Sequence, residues 1–111
     1  MPAHTIAAAT VDLTPSPLAD DQVVSGNPQV SALEILSEPG LEVGVWQHTA
    51  GVSTDVEADE VFVVLRGRAT IDIADGPTLQ VGPGDVGVLR AGDRTRWTVH
   101  EDLRKVYLVR G

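Results

Sequence analysis

Glu60 opens the most apolar run of the chain, "EVFVVL" (60–65), and a carboxylate at the head of such a run needs a reason. Counting by two along a strand puts Phe62 and Val64 on its face. In the last run, "LRKVYLV" (103–109), Leu103, Lys105, Tyr107 and Val109 share a face, so an ammonium and a phenol stand two residues apart on one side. In "RTRWTVH" (94–100), Thr95, Trp97 and Val99 share another face. An acid taken out of water must be hydrogen-bonded, ion-paired or neutralised by a raised pKa. A lysine is the partner that lets it stay charged.

The elements that carry these groups are short and regularly punctuated. "VSALEILS" ends at "EPG", "LEVGVWQH" at "TAG", "EVFVVL" at "RG" and "RATIDIA" at "DG". "TLQV", "VGVLR", "RTRWTVH" and "LRKVYLV" follow, giving eight candidate strands. Spacings of roughly 8 to 12 residues with a turn signal each time predict an antiparallel sandwich or barrel. No segment holds a 3.6-residue apolar period, and glycine recurs too often for helix interiors. The fold class read here is all-β.

Residues 1–28 differ in texture: four prolines and no sustained period predict an irregular N-terminal arm, or a partly disordered tail, ahead of one domain at 29–111. At 111 residues the chain has material for a single core, built of Val, Leu, Ile and Ala, since it has only one Met, one Phe, one Tyr and two Trp. Sixteen acids against eight Lys and Arg give a net charge of −8, which repels phosphate backbones and anionic lipid, so nucleic acid is not an expected partner. The absence of Cys removes disulfides, thiolate metal sites and a cysteine nucleophile together. No apolar run approaches the roughly 20 residues a bilayer requires, and the start lacks a basic signal-peptide region, so the expected location is cytoplasmic and not in a membrane.

Two patterns stand in order along the domain. Glu60, six intervening residues and Gly67 resemble the second half of the first cupin motif; "GDVGVLRAGDRTRWTV" from Gly84 resembles the second. With "GVWQHTAG" upstream and "RWTVHEDLRKVYLV" downstream, residues 26 to 110 look like the small single-domain cupins related to the ureidoglycine aminohydrolase cupin domain. That resemblance implies a jelly-roll barrel of two antiparallel sheets, usually dimeric, with a pocket inside. Metal-binding cupins supply a His-x-His pair before the glutamate and a further His after the second turn; the matching positions here are Ser53, Asp55 and Thr95. Hydroxyls are poor substitutes for imidazole, so no metal and no other cofactor is expected. A metal held by Glu60, Asp55 and His48 is the weakest of the alternatives. His48 otherwise reads as a surface or turn histidine, and strand parity puts His100 opposite Thr95, Trp97 and Val99.

Cupin geometry would aim the Glu60 face inward. Glu60, Lys105, Tyr107, Thr95 and Trp97 then surround one cavity as ligand-binding residues, with Trp46 either lining it or plugging its end. The expected function is metal-independent binding of a small polar or anionic metabolite, with any activity unspecified. The alternatives are a structural or regulatory dimer, in which Glu60 and Lys105 only fix strand register and Trp97 fills the core, and a metal-dependent aminohydrolase-type enzyme. Val61, Val63 and Leu65 face away from Glu60, an apolar stripe that calls for a cover: the arm or, in a homodimer, a second subunit.

Overall fold

A computed structural model describes residues 2–111. Among them there is no α-helix. The strands are β1 (Thr14–Pro15), β2 (Val23–Ser25), β3 (Val30–Glu38), β4 (Leu41–His48), β5 (Gly51–Val56), β6 (Asp59–Ile73), β7 (Thr78–Val81), β8 (Val86–Leu89) and β9 (Arg94–Arg110), with one 3-10 turn at Asp20–Gln22. All neighbours pair antiparallel. The chain forms a jelly-roll barrel of antiparallel strands, as expected.

Two pairs of runs expected as separate strands are each one long strand. β6 continues through "RGR" for 15 residues and β9 continues through "HED" for 17. Three register shifts between Val64 and Ala69 bend β6 instead of ending it, as bulges do. Gly67 sits in that bend at φ +89, where an added Cβ would also run into the Asp102 carbonyl, so only glycine fits there. The inward residues accordingly change from even to odd numbers: Phe62 and Val64 are buried before the bend, Ala69 and Ile71 after it.

These two bent strands run side by side through both halves of the barrel. Leu103 to Arg110 of β9 pairs β4, and β6 from Asp59 pairs β8, giving one sheet. Arg94 to Val99 of β9 pairs β5, and β6 from Ala69 pairs β7, giving the other. Phe62, Val64, Ala69, Ile71, Leu89, Trp97, Val99 and Leu103 meet between them as the core. Each large apolar side chain buried there contributes about 1.5–3 kcal/mol.

The turns close as their residue types require. Asp85 accepts the Gly82 N–H and Asp93 accepts the Arg90 N–H, each side chain reinforcing the backbone bond that closes the same four-residue turn. The N-terminal segment is tied at several places: β1 pairs β3, β2 pairs β5, and the Arg104 guanidinium donates to the Ala8 and Val11 carbonyls. It does not cover the stripe on β6, where Val61 and Val63 remain exposed. No helix among the described residues is long and apolar enough to cross a membrane.

Candidate functional site

A cavity of about 520 Å³ opens from the barrel interior to solvent. Five strands, β3, β4, β5, β6 and β9, and the arm build its wall. β4 supplies Glu42 and Trp46, β6 supplies Glu60, and β9 supplies Trp97, Lys105 and Tyr107; Thr14, Pro15, Ser16 and Leu18 of the arm close one side. Trp46 therefore faces the cavity, which parity across its neighbouring turn could not decide. Gly44, between Glu42 and Trp46, leaves room for Tyr107, whose ring lies where a Cβ would stand.

Lys105 is the centre of the site. Its ammonium donates to Glu60 Oε2 at 2.6 Å, with only 5% and 11% of the two side chains exposed. It also lies 4.4, 4.6 and 4.7 Å from the ring centroids of Trp46, Trp97 and Phe62. Three aromatic faces and one carboxylate thus replace its hydration shell, a favourable setting for a desolvated cation. The two charged residues do not oppose each other across the ladder: Val109 faces Glu60, and Val64 faces Lys105. The lysine stem reaches along the interior to make the bond, so the pair belongs to the cavity more than to strand register.

Glu57, just past β5, is a site residue that sequence reasoning missed. It is buried, and its Oε2 accepts both the Thr95 hydroxyl at 2.6 Å and the Trp97 indole N–H at 3.1 Å. Burial pushes its carboxyl above the usual range, against the opposing effect of those two hydrogen bonds. A signal was available, since Ser53, Asp55 and Glu57 follow one another by two. Thr95 is not on the cavity wall; it stands behind Glu57 and holds it. Tyr107 donates to Glu42 Oε2 at 2.8 Å, and burial followed by that hydrogen bond pushes its phenol well above the ordinary value.

His48 is not a surface or turn histidine, as its place in the sequence suggested, but is 1% exposed. Its Nδ1 lies 2.6 Å from the Thr49 carbonyl, so Nδ1–H is the donor, and its Nε2 accepts from the Ser53 hydroxyl at 2.8 Å. Burial lowers its pKa. It was misread because an inward polar pair, on two strands that follow one another in the chain, breaks the apolar alternation that marks a buried face. His100 does lie on the outer side, exposed and bonded to the Thr70 hydroxyl.

The metal centre typical of many cupins does not fit these residues. Ser53 is engaged by His48, Thr95 by Glu57, and Glu60 by an ammonium that would repel a divalent cation at the same place. Among the described residues no group of three or more His, Cys, Asp or Glu is arranged to hold a metal ion.

A family model described as the EutQ-like cupin domain matches residues 39–107. Among solved structures, the EutQ protein of Clostridium difficile aligns with a TM-score of 0.75 at 20% identity, over 96% of this chain and 85% of that one. A Pseudomonas syringae pv. tomato protein of unknown function aligns at 0.79 with 27% identity, over 89% of this chain but 44% of its own. Ectoine synthase from P. lautus aligns at 0.67 with 16% identity, over 81% and 69%. At such identities the EutQ protein and the synthase carry the fold alone, and the finer resemblance to the ureidoglycine aminohydrolase cupin domain is not shown. No curated protein sequence matches the chain.

Proposed function

The chain belongs to the EutQ-like cupin family, and from that premise we propose that it binds a small polar metabolite in the barrel interior without help from a metal ion. The observation that carries this reading is the Lys105–Glu60 pair set in an aromatic wall beside an open cavity. A buried ion pair is weak as a stabiliser, because desolvating two charges offsets most of their attraction. Placed where a ligand can reach it, the same pair has a use. The volume falls within the roughly 300–1,000 Å³ of small-molecule sites. The competing structural reading requires an interior filled by Trp and Phe, and the open cavity argues against it.

The test is a thermal-shift screen of small metabolites against the wild type and Lys105→Met/Glu60→Gln, which removes both charges together. A stabilising hit lost in the double variant supports the reading. A screen with no hits, or hits indifferent both to these substitutions and to Glu57→Gln on the same wall, overturns it. Elemental analysis of protein purified without chelators should find no stoichiometric divalent metal; finding one would sink the metal-free part.

The proposed partner is a second copy of the chain. Val61, Val63, Val86, Val88 and Leu108 are all exposed, and register sets Val61 beside Val88 and Leu108, and Val63 beside Val86. One continuous apolar patch results, bordered by the Asp59 ion pairs to Arg90 and Arg110. An apolar centre with a charged rim suits a two-fold, self-complementary contact. The expected setting of this dimer is cytoplasmic.

A further inference from the structure

Resting on the binding function proposed above, we infer that the cavity selects a ligand bearing a cationic nitrogen, an ammonium or a guanidinium, with Glu57 Oε1 as its main counter-charge. The hydrogen-bonding capacity of the wall is the first support. Four donors around the cavity are already spent on carboxylates: Lys105 on Glu60, Tyr107 on Glu42, and both Thr95 and Trp97 on Glu57. In each case the acceptor is Oε2. Among the described residues the Oε1 atoms of Glu42, Glu57 and Glu60 receive no donor, and no buried side-chain oxygen is left without a partner, so these three atoms are accessible, on residues that line the cavity. The Trp46 indole N–H is a remaining donor of the wall, and it is neutral. The Thr14 and Ser16 hydroxyls of the wall are neutral donors as well, so what the site lacks is a second charged donor, not an acceptor.

Charge points the same way. The wall holds Glu34, Glu42, Asp55, Glu57 and Glu60 against the single cation Lys105. That cation is neutralised by Glu60 and shielded by three rings, so an incoming carboxylate would meet carboxylates without a free ammonium to receive it. The net charge of −8 draws cations from a distance as well. Glu57 is the acid best suited to act as counter-ion: Thr95 and Trp97 fix one oxygen, and burial makes its ionised form costly until an opposite charge arrives. The expectation of an anionic metabolite thus gives way to a cationic one, because Lys105 is paired with Glu60 and enclosed by three rings.

The chain has only two tryptophans, and both line the cavity, so their indole N–H signals in a 1H–15N NMR spectrum report occupancy directly. The probes are n-butylammonium, 1,4-diaminobutane and butylguanidinium, titrated beside butyramide and butyrate of matched size. The expected result is saturable movement of the indole signals with the cationic probes, and an affinity lower by about tenfold or more in Glu57→Gln, as for a close charge pair worth about 1.4 kcal/mol or more. That variant keeps an acceptor for Thr95 and Trp97, and its fold is checked by the same spectrum. Binding of butyrate in preference to the cations overturns the charge class while leaving a binding function intact. Cation binding that Glu57→Gln does not weaken overturns the role of Glu57. Indole signals unmoved by every probe, with no hit in the metabolite screen, overturn the binding function and this inference with it.

Discussion

Lys105 Nζ lies 2.6 Å from Glu60 Oε2, yet Lys105 is registered against Val64 and Glu60 against Val109, so the bond runs along the barrel interior instead of across a ladder. A carboxylate heads the most apolar run because an ammonium four registered places away reaches it inside the cavity.

Removing one member of that pair should cost much more than removing both. Lys105→Met leaves Glu60 without its counter-charge, with an expected loss of about 3–5 kcal/mol. Lys105→Met/Glu60→Gln keeps the volume and removes both charges, and should recover most of that loss. Urea unfolding of the wild type, both single variants and the double variant measures the coupling. Additive single effects would mean that the pair is energetically idle.

Glu57 is predicted to make the fold less stable as pH rises. Its folded pKa is raised, chiefly by burial, so its favourable contribution is complete below the unfolded value of 4.5 and is lost as pH climbs through the folded value. Glu57→Gln, with no proton to lose, should be more stable than the wild type at pH 7 and show a flatter dependence from about pH 4.5 upward. Melting temperatures across that range decide it, and a variant less stable than wild type at neutral pH contradicts the account. A residue that costs stability and lines a cavity is a trade expected at a functional site.

His48 acts in the opposite direction. Its folded pKa is lowered, first by burial, so the unfolded chain takes up a proton more readily than the native one. The stability it contributes is present above pH 6.5 and is lost as pH falls through the folded value. NMR titration should find His48 with its midpoint below 6.5 and with the proton on Nδ1. A midpoint at or above 6.5, or an Nε2–H tautomer, would remove the Ser53 bond from the argument.

The apolar sheet face predicts a dimer in solution. Light scattering should give twice the chain mass for the wild type, and Val61→Asp or Val88→Asp should give monomers that remain folded, because both side chains are exposed in the single chain. A monomeric wild type leaves the patch without its proposed cover.

The all-β class, most of the turns and the replacement of imidazoles at the metal-motif positions were legible in the sequence, since each depends on local features: alternation, glycine and aspartate at turns, and residue type at a motif position. The same parity correctly grouped Lys105 with Tyr107 and Thr95 with Trp97. It could not follow β6 through its bend, where extra residues reverse which side faces inward, and so two long strands were read as four. β5, "GVSTDV", was passed over because the residue it buries, Ser53, is polar and bonded to His48.

The sequence by itself determined the building material: a small acidic all-β chain with one carboxylate, one lysine and a few aromatic residues placed to converge. Tertiary structure alone decided how their hydrogen bonds and charges are shared. It put Glu57 over Thr95 and Trp97, buried His48, drew Thr14 to Leu18 to the mouth of the cavity, and spent Lys105 on Glu60. Partners such as Glu57 and Trp97 stand 40 residues apart in the chain. Local periodicity fixes which side of a strand a residue takes, whereas barrel closure and bending fix which distant side chain it meets there.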